Sequence, residues 1–244
     1  MKYLLVSGMR KLTGDNEERY ALSKVMPQTY IRLHGSLFKI RRNSDDIIFL
    51  QPFHEPLTTH KLIESIENGI FIDIGAHVGR YSIIIANKLD GKGRVIAVEP
   101  ERNNFVALLE NIKLNNLENV IPINNAICDK SRRLPFYYTN VVGSGFSSLV
   151  QKWENKVEVD AVTLDHLLDK LKIVPSEVKL VKIDVEGTEY SVLRGAKKFL
   201  KSSDAKIIFE SGPETIDKCC KLLRKFGYRV SPLGNENFLA IKMG

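Results

Sequence analysis

The segment VKIDVEGTEYSVLRGA, Val181 to Ala196, places Asp184, Glu186 and Glu189 within six residues, around Gly187. It opens like a buried strand and continues as an amphipathic helix, so the acids stand where a core strand ends. Three kinds of chemistry fit them. A carboxylate at a strand end can serve as a general base, a role that contributes ~10²–10⁴-fold; Asp184 is the candidate, with Glu186 two residues beyond it. Clustered carboxylates also suit a hard divalent cation. Asp184, Glu186 and Glu210 could converge from adjacent strand ends for that purpose, although no motif fixes such a site. The third role is structural. An acid in a first helical turn gains ~0.3–1 kcal/mol from the helix dipole, which is the expectation for Glu189, with Thr188 as a cap. Asp184 is different, because a charge closing a core strand needs a partner.

A second constellation lies upstream, in DIGAHVG, with Asp73, Gly75, Ala76, His77 and Gly79. A dinucleotide fingerprint, G-x-G-x-x-G counted from Gly75, needs glycine where His77 and Arg80 stand. The spacing D-x-G-x-x-x-G opens a tight turn without preparing a pyrophosphate seat. S-adenosylmethionine has no pyrophosphate, and its methionine portion can use the backbone groups of such a turn. Glu99 closes the next strand, 24 residues beyond Gly75. An acid there can accept hydrogen bonds from both ribose hydroxyls; the bland alternative is a helix-start carboxylate. Asn125 and Ala126, at the end of a third strand, are expected to border the adenine. Ser147 and Ser148 could contact the acceptor or the methionine end. His54, His60 and His166 read as surface or half-buried histidines, and Trp153 as packing.

The elements that must position these groups alternate. GIFIDIG, GRVIAVEP, NVIPINNAI, EVKLVKID and DAKIIFES read as short buried strands. Between and after them, RYSIIIANKL, ERNNFVALLENIKLNN, TLDHLLDKL (Thr163 as N-cap), the segment after Gly187 and ETIDKCCKLLRKFG carry helical spacing. A terminal hairpin surrounds Gly234 and Asn235. Such alternation implies an α/β fold with a parallel sheet covered on both faces. Its ligands bind at the carboxyl ends of the strands, near the switch in strand order. Residues 130–162 break the alternation and read as a small β insertion. Upstream, a helix over 16–26 and two strand-like runs, SLFKIRR and DIIFLQP, are expected.

These readings divide the chain into a basic N-terminal extension, 1–60, a possible substrate cap, and a catalytic domain, 61–244. The 244 residues suffice for one large domain with an appendage. Residues 1–43 hold nine Lys and Arg against three acids, so six of the seven net positive charges lie there. That asymmetry suits nucleic acid, an anionic metabolite or a solvated face. Three cysteines without C-x-x-C spacing argue against a zinc site or disulfide framework. With no apolar run of spanning length and no signal-peptide core, the expected location is the cytoplasm, with no membrane partner.

Taken together, FIDIGAHVGRYS, VIAVEP followed by LLENIKLNN, NNAICD, GFSSL, VTLDHLL, KIDVEGTEYSVLRGA and IIFE, in that order over about residues 45–210, resemble the FkbM family of class I S-adenosylmethionine-dependent methyltransferases. His77 departs from the Asn often found there. The resemblance implies a Rossmann-like, seven-stranded, mostly parallel sheet and methyl transfer, most often to a hydroxyl oxygen. The expected acceptor is a hydroxyl on a small molecule or glycan. RNA gripped by the basic segment is the alternative, and a non-catalytic binding module is the third. Amino-nitrogen targets are disfavoured, because no N-P-P-Y-like motif is present. The cofactor set is then Asp73, Gly75, Ala76, His77, Gly79, Glu99, Asn125, Ala126 and Asp184, and the catalytic pair is Asp184 and Glu186.

Overall fold

The computed structural model describes residue 25, residues 27–138 and residues 155–243. An antiparallel hairpin, β1 (Thr29–Leu33) and β2 (Ser36–Ile40), comes first. A short helix, α1 (Asp46–Phe49), and α2 (Pro56–Ser65) lead into the main sheet. There β3 (Gly69–Ile74), α3 (Arg80–Leu89), β4 (Gly93–Val98), α4 (Arg102–Leu114) and β5 (Val120–Ile123) make successive βα units. The strands β6 (Ala126–Ile127), β7 (Arg132–Tyr138) and β8 (Asn155–Val162) form a small separate sheet. Then follow α5 (Leu164–Leu171), β9 (Val178–Ile183), α6 (Glu189–Arg194), α7 (Lys197–Ser202), β10 (Lys206–Glu210), α8 (Ile216–Lys225) and the hairpin β11 (Tyr228–Gly234) and β12 (Asn237–Lys242).

The large sheet has seven strands in the order β11-β12-β10-β9-β3-β4-β5. From β10 to β5 all pairs are parallel, and β12 joins β10 antiparallel. This is the seven-stranded, mostly parallel α/β sheet that the alternation and the resemblance imply. Strand order reverses between β3 and β9, so the ends of those two strands mark the switch point. The strands are buried on both faces. Ile70, Ile72, Ile74, Val181 and Ile183 join one apolar layer with α5 to α8, while Phe71 and Leu180 join the other with α3, α4 and the β1–β2 hairpin. Pro122 sits in β5 and Pro232 in β11, the two edge strands, where a missing N–H costs the ladder least.

The hairpin is bolted to α4. Asn115 Oδ1 and Asn111 Oδ1 accept the backbone N–H groups of Leu37 and Lys39, each at 2.8 Å, and so occupy an otherwise open strand edge. Three local readings are corrected. DIIFLQP is not a strand: Asp46–Phe49 is helical, with Ile47 and Leu50 buried at i, i+3 spacing. The buried carboxylate of Asp46, clamped by the Arg41 guanidinium at 2.7 and 2.9 Å, fixes the turn that starts it. NVIPINNAI is two strands, not one. After Ile123 the chain leaves the sheet, and Ala126–Ile127 pairs with β8 instead. Thr188 does not cap with its side chain; its hydroxyl bonds the Val185 carbonyl, and the Glu189 carboxylate takes the Gly187 N–H at 2.9 Å. The helix expected over 16–26 lies almost wholly outside the described residues, as do Ser147, Ser148 and Trp153. Among the described residues no helix is long and apolar enough to cross a membrane.

Candidate functional site

A cleft opens at the carboxyl ends of β3, β4 and β9, with about 710 Å³ of open space, part of it continuous with solvent. Seven of the candidate residues line it: Gly75, His77, Glu99, Asn125, Ala126, Asp184 and Glu186. Phe49 and Phe136 add apolar wall. Asp73, Ala76 and Gly79 lie beneath it. The Asp73 carboxylate is buried and accepts the Ser82 hydroxyl of α3 at 2.6 Å, which ties the strand to the helix after the turn; burial pushes its pKa up to about 6. Gly79 begins α3 at φ 91°, and a Cβ there would meet Leu108 Cδ1 at 2.6 Å.

Gly75 is required twice. Its φ is 85°, and a Cβ would fall 1.7 Å from the carbonyl oxygen of Asp184. The backbones of β3 and β9 meet there, with Asp184 N–H donating to the Ile74 carbonyl at 2.9 Å. The turn that follows is held by N–H bonds from Gly75 and Ala76 to the Val98 carbonyl, both at 2.9 Å.

Glu99 closes β4 and is 5 % exposed. One carboxylate oxygen accepts the His77 N–H and the other the Glu101 N–H, both at 2.8 Å. Burial pushes its pKa up to about 8, against the pull of those two bonds. Each oxygen still has acceptor capacity for a hydroxyl. Glu99 does not itself cap α4. Glu101 does, accepting from Asn103 N–H at 3.0 Å and Asn104 N–H at 2.7 Å. Asn124 secures the strand end by donating to the Glu99 carbonyl at 2.8 Å. Asn125 donates to the Asp160 carbonyl at 3.0 Å, which joins the cleft edge to the small sheet.

The other side of the cleft is built from side chains. Asp184 has a partner that the sequence did not announce: Lys182, fully buried and next to last in β9, donates to Asp184 Oδ2 at 3.1 Å. Burial would raise the Asp184 carboxyl, but the Lys182 charge and hydrogen bonds from Lys182 and Glu210 outweigh it and hold it below the usual carboxylate range. Glu210, at the end of β10, is pushed up to about 9 by burial and by Asp184. Glu186 is exposed at the cleft mouth in a left-handed conformation, φ 51°, with its carboxyl raised by the surrounding wall and by Asp184 and Glu189. Strained backbone of this kind collects at functional sites. Among the described residues, no group of three His, Cys, Asp or Glu side chains is placed to hold a metal ion.

The segment between α1 and α2 completes this side. Arg80, where a dinucleotide motif would need glycine, is 5 % exposed, and its guanidinium donates to the carbonyls of Phe49, Gln51 and His54 and to Thr59 Oγ1. Glu55 is thereby set to receive the Tyr81 hydroxyl and, at 2.6 Å, the Asn237 side-chain amide. His54 packs edge-on to Phe49, and burial, then Arg80, lowers its pKa to about 4, so the ring is neutral at neutral pH. Sequence reasoning missed Lys182, Glu55, Tyr81 and Asn237. The one available signal was a second lysine, out of phase with the exposed Lys179, near the end of the strand VKLVKI.

A profile of the family described as methyltransferase FkbM domain matches residues 73–230. The hexuronic acid methyltransferase AglP of Haloferax volcanii is 26% identical over 147 residues, 60% of this chain and 58% of that protein. The methyltransferase sdnD of Sordaria araneosa is 27% identical over 159 residues, 52% of this chain and 60% of that protein. The chain thus spans less than two thirds of the length of these relatives. Among solved structures, a methyltransferase FkbM from Methylobacillus flagellatus superposes with a TM-score of 0.53 at 16% identity, covering 72% of this chain and 44% of that one. The tRNA (uracil-54, C5)-methyltransferase of Pyrococcus abyssi, solved with S-adenosyl-L-homocysteine, gives 0.51 at 16% identity, covering 88% and 44%. At such identities the superpositions speak to the fold alone.

Proposed function

Because the chain belongs to the FkbM methyltransferase family, whose cofactor is S-adenosylmethionine, we propose that it methylates a hydroxyl oxygen on a small, sugar-like acceptor. The residues present fit the cofactor: a buried carboxylate with spare acceptor capacity, Glu99, is hydrogen-bonded to the Gly75–His77 turn, and both line the same cleft. Glu99 would take the ribose hydroxyls, the Gly75–His77 turn the methionine end, and Asn125 and Ala126 the adenine border. When bound, the cofactor supplies a methyl group already activated on a sulfonium. What remains for the chain is to hold an acceptor oxygen in line with that methyl and to receive its proton.

The observation that carries the hydroxyl reading is Asp184, paired with the buried Lys182 at 3.1 Å and lining the same cleft as Glu99. Glu186, at the mouth of the same cleft, is the second candidate, its carboxyl pushed up to about 8 by burial and by Asp184. The name of the Haloferax relative, which cites a hexuronic acid, supports a carbohydrate acceptor. The extension 1–60 is proposed as the acceptor-side cap, since its described part supplies Phe49, His54 and Glu55. RNA remains the competing acceptor. Of the nine basic residues before position 44, Lys39 and Arg41 are tied to Glu110 and Asp46, and five lie outside the described residues. The test is methyl transfer from labelled S-adenosylmethionine to hexuronic acids, neutral sugars and tRNA in parallel. Label in an acid-stable sugar ether supports the proposal; label in tRNA alone overturns it.

A further inference from the structure

Asp184 is approached by charged and titratable groups from every element around it. Lys182 precedes it on β9, and Asp73 stands beside Lys182 on β3 in direct register. Glu210 comes from β10, Glu186 and Glu189 from the loop and helix that follow, and His54 and Glu55 from the segment pinned by Arg80. Most of these are acids. An acidic crowd of this density normally neutralises itself by taking up protons. Here a cation is set at its centre: Lys182 Nζ lies 3.1 Å from Asp184 Oδ2 and 5.8 Å from the Tyr81 ring, with no exposure to solvent. Tyr81 carries the contact on to Glu55, and Glu55 to Asn237 of β12.

We propose that Lys182 is a positioning residue that acts through Asp184, its buried ammonium 3.1 Å away holding the carboxylate aimed into the cleft. The proposal deepens the methyl-transfer reading and rests on it for the role of Asp184. In the resting site the lysine is an ammonium, Asp184 is a carboxylate and Glu210 is a neutral acid. When Asp184 accepts the acceptor's proton, one O–H bond breaks on the acceptor and one forms on Asp184, and release of that proton to solvent at the cleft mouth returns Asp184 to its resting carboxylate. The groups bracket the reaction in the expected sense. Burial works to lower the ammonium, but Asp184, Glu55, Tyr81 and Glu210 outweigh it and raise its pKa. Burial and Asp184 together keep Glu210 protonated up to about pH 9.

The test uses the whole protein with ¹³C-labelled Asp and Glu side chains, Asp184→Asn and Glu210→Gln serving to assign the signals. In the wild type, Asp184 should titrate below the ordinary carboxylate range while Glu210 is protonated at pH 7. In Lys182→Met, the Asp184 midpoint should rise by about one to three pH units, and the acidic limb of kcat should move up with it, with cofactor Kd unchanged within about threefold. Lys182→Arg should restore the wild-type limb, because it keeps the charge. An Asp184 midpoint that Lys182→Met leaves in place, or a wild type in which Glu210 is ionised and Asp184 neutral at pH 7, overturns the proposal. The second outcome is read on the wild type, so the proposal can be refuted even where Lys182→Met fails to fold. Failure of every hydroxyl acceptor would instead strike the proposed function, which the titration does not depend on.

Discussion

The two sides of the cleft solve the problem of a buried carboxylate in opposite ways. On the β4 side, Glu99 is satisfied by main-chain N–H groups at residues 77 and 101, in the turns that follow β3 and β4. On the β9 side, Asp184 is satisfied by other side chains, one of them a buried cation, whose own contacts run to Glu55 and Asn237. Main-chain donors cannot be titrated, and they place an oxygen to within a few tenths of an ångström. Side-chain partners can exchange protons and can be tuned one at a time. The first arrangement suits a ligand that must always sit in the same place; the second suits a group that must change its protonation state.

The contrast can be broken most thoroughly at the one residue both sides share. Gly75→Ala should force β9 away from β3 and cost several kcal/mol of stability, of the order seen for overpacking and strained glycine sites. Thermal unfolding should show a fall of many degrees, with cofactor binding and turnover lost together. Retention of either one alone would mean that the sides are not joined there. Asp184→Asn comes next: kcat with a methylated acceptor should drop ~10²–10⁴-fold, while cofactor Kd by calorimetry moves little. An unchanged rate would remove Asp184 from the chemistry.

Glu99→Ala should do the reverse. Losing two hydrogen bonds to a charged acceptor weakens cofactor binding about 100-fold, and kcat at saturating cofactor should largely survive. The smallest effect is a pH dependence. If the ribose hydroxyls need the ionised carboxylate, cofactor affinity should rise with pH toward about 8, where Glu99 loses its proton, and level off above it. The sign follows from a raised pKa, which leaves the free site protonated below that pH. Affinity should fall by up to about tenfold per pH unit on the acidic side. A flat profile between pH 6 and 9 would show that the neutral acid binds as well.

The same contrast explains what could be read in the sequence. DIGAHVG and AVEP carry their meaning locally, since glycine, turn and acid lie within one βα unit each, and Gly75, His77 and Glu99 line one cleft. The parallel sheet was legible from alternation, because both-face burial leaves continuous apolar runs. Lys182 was not, because a lysine within VKLVKI looks like a solvated interruption until β3 and β10 close around it. Glu55 and Asn237 are 182 residues apart and carry no shared pattern. DIIFLQP failed for a simpler reason. A short apolar run fits a strand and a buried helical turn equally well, and the arbiter was the grip of Arg41 on Asp46.

Arg80 gives the site an asymmetry of a different kind. Its guanidinium ties the Phe49–His54 wall to the start of the helix that follows the Gly75–Gly79 turn. An arginine does not give up its proton in a folded protein, so this tie ignores acid and base. The carboxylates it faces do not. The link between that wall and the helix is thus of fixed charge, while Glu99 and Glu186, with pKa values raised to about 8, can change theirs near neutrality.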